Sequence, residues 1–126
     1  MDTNVCIDFA LGRSDLLRAR VRSARSRGLT ISTISLAELR VGARAPDADP
    51  EDDRRLDLLV SVLTLAMFDV AAAEAYGRLG RAIGVTRKSF DRLIAAHALS
   101  LGLTVVTNNR DDFADVPGLR VENWTE

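Results

Sequence analysis

A chain of 126 residues amounts to a single domain, residues 1–126, and can bury a core without disulfides or a structural metal. Its formal net charge of −1 excludes a uniformly basic nucleic-acid coat, and its one cysteine, Cys6, excludes an intramolecular disulfide and suits a reducing compartment. With no long apolar run and no charged-then-apolar leader, a soluble cytoplasmic protein without a membrane span is expected.

The apolar spacing predicts helices alternating with short strands. Thr3 to Leu11 reads as a short helix ending at Gly12, and Ser14 or Asp15 caps a second helix that runs to about Arg27. That helix is rich in arginine (Arg18, Arg20, Arg22, Arg25 and Arg27), which makes either a phosphate-binding face or a solvated outer surface. The β-branched run Thr30 to Ile34 predicts a strand, and Ser35 opens a helix toward Ala43. The stretch from Pro46 to Pro50 is loop-like and lies in an acidic knot. Leu56, Leu59, Val60 and Leu63 recur at helical spacing, Thr64 to Phe68 reads as a strand, and Asp69 caps a helix continuing to Ile83. Phe90, Ile94, His97 and Leu101 fall on one face of a further helix that stops at Gly102. Leu103 to Thr107 and Leu119 to Val121 complete the strands, separated by the turn Val116-Pro117-Gly118. Helices of this length between strands imply right-handed crossovers and an α/β fold, a short parallel sheet covered by helices on both faces.

Acidic residues cluster where these patterns change: Asp2, Glu38, Asp91 and the pair Asp111-Asp112. In an open parallel sheet such junctions lie at the strand ends, where ligand sites form. Each acid also has a structural explanation. Glu38 stands at the capping-box distance from Ser35, and Asp91 and Asp112 favour a helix dipole. Gathered at one edge they would repel one another unless a hard cation, magnesium (Mg2+) or manganese (Mn2+), neutralised them. Asp2, Glu38 and Asp91 are the expected metal ligands. Lone His97 and lone Cys6 make no zinc site, and one histidine gives no imidazole pair for acid-base cleavage. With neither a Walker loop nor a G-x-S-x-G elbow, attack by metal-activated water on a phosphodiester is the economical chemistry. Thr3, Asn4, Thr107, Asn108 and Asn109 are short polar neighbours able to hold water or phosphate oxygen, and Arg87 and Lys88 could reach a scissile phosphate. Asn and Thr at such turns serve equally well as caps.

The phrases Asp2-Thr3-Asn4, Ser32 to Gly42, Asp91-Arg92-Leu93-Ile94-Ala95-Ala96-His97-Ala98, Val106 to Asn109 and Val116 to Trp124, in that order, resemble the PIN-domain toxins of VapBC toxin–antitoxin systems. The resemblance implies a PIN domain and a magnesium-dependent endoribonuclease, homodimeric and restrained by a small VapB-like antitoxin. Its RNA substrate would be structured, such as transfer RNA, and Asp2, Glu38 and Asp91 would be the central acids. Many such domains carry a further aspartate where Asn109 stands. Asp112, directly before Phe113, is the preferred fourth catalytic residue, with Asn109 and Asp111 as alternatives. Family members also carry several apolar residues before the first aspartate, so with only Met1 ahead of Asp2 either the true start lies upstream or the first strand is truncated. That truncation keeps a second reading open, a catalytically impaired scaffold that binds antitoxin or RNA without cleaving.

Overall fold

The structure, a computed structural model, describes residues 1–10, 14–24, 28–84 and 90–126, with Asn4 described by its backbone alone. These residues form α1 (Thr3–Ala10), α2 (Asp15–Ala24), β1 (Thr30–Ser32), α3 (Thr33–Ala43), α4 (Asp52–Ser61), β2 (Thr64–Ala66), α5 (Val70–Ile83), α6 (Phe90–Leu101), β3 (Val105–Val106) and β4 (Val121–Glu122). A 3₁₀ turn spans Arg110–Phe113 between β3 and β4.

Short polar side chains start the helices. Ser14 Oγ accepts the Leu17 amide at 3.1 Å to open α2, and Asp69 Oδ1 accepts the Ala72 amide at 3.0 Å to open α5. The start of α3 differs from the expectation. Ser32, not Ser35, is its N-cap, its Oγ accepting the Ile34 amide at 3.1 Å, so the strand ends two residues early and Thr33 and Ile34 are helical. A satisfied helix terminus outweighs the weak strand preference of two β-branched residues. Ser35 is consequently buried inside α3, and its hydroxyl has no hydrogen-bond partner among the described residues. Helix α6 ends as expected at Gly102, whose φ of +66° lets the Gly102 amide reach Leu99 O at 3.2 Å and the Leu103 amide reach Ala98 O at 2.9 Å.

Among the described residues the strand pairing is parallel, but the sheet is split. β1 pairs with β2, Ile31 opposite Leu65, and β3 pairs with β4, Val105 opposite Val121. Between the two pairs lie Met1 and Asp2. The Met1 ammonium donates to Thr30 O and the Asp2 amide to Val106 O, each at 3.0 Å. One bond to each flank aligns the pairs without making a strand, and a cavity of about 370 Å³ remains in the gap, lined by Met1, Thr30, Ser32, His97, Val105 and Val106 among others. Burial lowers the pKa of the Met1 ammonium.

Side-chain alternation along β3 places helices on both faces. Val105 packs with Ala75, Leu79, Ile94, Ala95 and Phe113, on the side of α5 and α6, whereas Val106 packs with Val5, Leu17 and Val21 of α1 and α2. A third cluster joins Cys6 and Ile31 to Leu56 and Leu59 of α4. The buried stripe of α6 is Ile94, Ala95, Ala96 and His97, whereas Phe90 and Leu101, expected on the same face, are exposed at the helix ends. The acidic knot is a set of surface ion pairs, Asp53 with Arg40 and Arg44, and Asp49 and Asp52 with Arg55. Among the described residues no helix is long and apolar enough to cross a membrane.

Candidate active site

Asp2 is held where β3 and the first turn of α1 meet. Its Oδ1 accepts the Val5 amide at 3.0 Å and so caps α1, while its Oδ2 accepts the Thr107 hydroxyl at 2.6 Å, in a setting only 3% exposed. Burial raises the pKa of the Asp2 carboxyl. The bonds from Thr107 and Val5 and the nearby ammonium work against that rise, and the charge of Asp112 adds to it.

With Ser32 as cap, Glu38 lies in the second turn of α3 and has no capping duty. It is half-buried and accepts the Thr3 hydroxyl at 2.7 Å, which ties α1 to α3. Asp91 stands in the first turn of α6, and its carboxyl is pushed up to about 6, first by burial and then by the charges of Asp112, Asp2 and Glu38. Asp112 sits in the 3₁₀ turn after β3. Four segments far apart in the chain thus bring four carboxylates into one electrostatic field. Asp111 exerts no such push on Asp2 or Asp91; its amide instead donates to Asn109 Oδ1 at 3.2 Å, making Asn109 the cap of the 3₁₀ turn.

Among the described residues no three of these side chains converge as a ready ligand cage. The two observations concern different ranges. Charges act across several ångströms, whereas coordination needs oxygens within about 2.0–2.6 Å of one point. Thr3, Thr107 and the Val5 amide pin the oxygens of Glu38 and Asp2. Carboxylate oxygens alone, with burial raising the pKa of Asp2 and Asp91, suit a hard cation such as magnesium or manganese better than zinc.

The short polar residues hold the scaffold. Thr3 is committed to Glu38 and Thr107 to Asp2, and Asn108 Nδ2 donates to Asp8 Oδ2 at 2.7 Å. Asp8, an acid within the apolar α1, is a site neighbour that sequence reasoning missed; its place among Val5, Cys6, Ile7 and Phe9 was the available signal. Arg87 and Lys88 lie outside the described residues, as does the Asn4 side chain. His97 is buried, as expected for a structural histidine. Its Nδ1 lies 2.7 Å from Ser32 Oγ, it hydrogen-bonds the Met67 backbone, and its ring meets Phe68 edge-on at 5.3 Å.

The chain matches the PIN domain over residues 1–119. It is 35% identical to the tRNA(fMet)-specific endonuclease VapC of Salmonella typhimurium, an alignment covering 98% of this chain and 96% of that protein. It is 31% identical to Ribonuclease VapC2 of Rickettsia felis, covering 98% and 96%. In three dimensions it is similar to the crystal structure of VapBC2 from Rickettsia felis bound to a promoter DNA fragment, with a TM-score of 0.87 at 30% identity over 98% of this chain and 96% of that one. The DNA-bound VapBC of Salmonella typhimurium gives a TM-score of 0.86 at 35% identity, over 98% and 95%.

Proposed function

Because the chain belongs to the PIN-domain family, in its VapC branch, we propose that it is a metal-dependent endoribonuclease and the toxin of a toxin–antitoxin pair. The observation that carries this reading is the Asp91 carboxyl, pushed up to about 6 first by burial and then by the charges of Asp112, Asp2 and Glu38. A structural role has no use for carboxylates gathered from four segments at a cost in repulsion; a cation site does.

In this reading Asp2, Glu38 and Asp91 hold the ion, and Asp112 completes the catalytic set. Magnesium, or manganese in its place, supplies counter-charge and a more acidic water when bound. The chain's own groups do the rest. Thr107 and the Val5 amide fix both oxygens of Asp2, and Thr3 fixes one oxygen of Glu38, so two acids are pre-oriented and lose little freedom on binding. Asp91, whose carboxyl is pushed up to about 6, is placed to exchange a proton near neutral pH. Of the polar residues expected to meet substrate, Thr3, Asn108 and Asn109 are proposed to border the path of the RNA, buried Thr107 acts through Asp2, and Arg87, Lys88 and the Asn4 side chain lie outside the described residues. A transfer RNA is the proposed substrate class, supported by the name of the Salmonella relative. A VapB-like antitoxin is the proposed partner, supported by the VapBC complexes to which the fold is similar, and the resemblance to VapC toxins carries the proposal of a homodimer.

Expression in a bacterial host tests the toxin reading. The parent is expected to arrest growth, Asp91→Asn to be tolerated, and co-expression of a cognate VapB-like antitoxin to restore growth. Growth unaffected by the parent at matched protein levels would overturn it.

A further inference from the structure

Beside the acids lies a cleft of about 450 Å³ lined by Arg20, Ser23, Arg110, Glu122, Asn123 and Trp124. It adjoins the acid site through one segment. Thr107 bonds Asp2, and Arg110 stands two residues before Asp112 in the same turn. Because β3 and β4 are adjacent and parallel, their carboxyl ends deliver Arg110 and Trp124 to the same edge.

Its groups are built in. Arg20, on the arginine-rich α2, donates through Nη1 to Asn123 O at 2.9 Å, and buried Asn123 donates in turn to Asn108 O at 3.3 Å. Arg20 is therefore positioned rather than free to wander. Arg110 is exposed and has no hydrogen bond or ion pair among the described residues, unlike Arg40, Arg44 and Arg55, whose charges are matched by aspartates. The half-buried Trp124 packs at its base against the Val5, Leu17, Val21 and Val106 cluster and donates from Nε1 to Glu122 Oε2 at 3.1 Å. Glu122 is thereby engaged, and two guanidinium groups leave the cleft net positive by one charge.

Guanidinium groups beside a fixed indole suit a ligand with a phosphate and a flat aromatic face. We propose that this cleft is a nucleotide subsite, which holds one unpaired nucleotide flanking the cut, its phosphate on Arg110 and Arg20 and its base on Trp124. The inference rests on the ribonuclease reading and deepens it. It also gives the arginine-rich helix a specific purpose at Arg20.

Trp124 is the only tryptophan, so its fluorescence reports on the cleft directly. The full chain is titrated with a short single-stranded oligouridylate in chelator, where no cutting occurs, beside Arg110→Glu and Arg78→Glu, the latter a charge on α5. Binding is expected to quench Trp124, and Arg110→Glu to weaken binding about tenfold or more with a shallower salt dependence, while Arg78→Glu stays near the parent. In cleavage assays with magnesium, Arg110→Glu should raise KM and leave kcat little changed. Equal weakening by both substitutions would reduce the effect to net charge and overturn the subsite. Bound and cleaved RNA with unchanged Trp124 fluorescence and an unaffected Arg110→Glu would overturn the subsite alone and leave the nuclease standing. A parent that neither binds nor cuts RNA would overturn both.

Discussion

Asp91 records its neighbours most clearly. Its carboxyl, pushed up from 3.8 to about 6 in the fold, keeps a proton through a pH range in which the unfolded chain has released it. A raised acid pKa means that the folded state binds more protons, so the metal-free protein loses stability as pH rises from about 4 through about 6. Asp91→Asn removes that ionisation. Its thermal melting in chelator should depend less on pH, and at neutral pH it should melt at or above the parent. The same substitution should weaken manganese binding by calorimetry, since it deletes one charge and one proposed ligand. Parallel pH profiles together with equal manganese affinity would contradict the assignment. Asp2, Asp91 and Asp112 could be singled out in the sequence because each sits at a junction between patterns, whereas Glu38, read close to a helix start, lies in the second turn of α3. Their supports could not. Thr3 to Glu38 spans 35 positions and Thr107 to Asp2 spans 105, and no local pattern encodes contacts of that range.

The start of α3 shows how one side chain decides an element. Ser35 and Glu38 have the spacing of a capping box, and Thr30 to Ile34 has the composition of a strand, yet Ser32 takes the cap and shifts both boundaries. What the sequence could not display is the partner. Ser32 Oγ also meets the Nδ1 of buried His97, 65 positions away, which ties the helix bearing Glu38 to the helix bearing Asp91. Ser32→Ala loses the cap and strands a buried imidazole nitrogen, a combined cost of about 2 kcal/mol. Urea denaturation of the metal-free protein measures it, and a loss below about 0.5 kcal/mol would mean that neither contact matters. Strands were likewise read too long, Leu103 to Thr107 against the observed Val105–Val106. Apolar composition marks where a strand can form, whereas its length depends on which flanking backbone is there to pair.

Across the whole molecule, parallel pairing and helices on both faces followed from the alternation of patterns, but the split between the two strand pairs did not. The backbones of Met1 and Asp2 bridge that gap and carry Asp2 to the edge where Glu38, Asp91 and Asp112 arrive from α3, α6 and the 3₁₀ turn. The same architecture keeps the one histidine out of the chemistry. His97 is buried against Ser32 and Phe68, and burial lowers its pKa, so no imidazole couple is available to use the 2′-hydroxyl of RNA as nucleophile. Hydrolysis by water at a carboxylate-held ion should leave a 5′-phosphate and a 3′-hydroxyl, and it should need the ion. End-group analysis of RNA cut by the parent, with magnesium and then with excess chelator, puts this to the most direct test. Carboxylate-held metal hydrolysis predicts 5′-phosphate and 3′-hydroxyl ends with magnesium and no cutting in chelator; a 2′,3′-cyclic phosphate, or undiminished cutting in chelator, would contradict it.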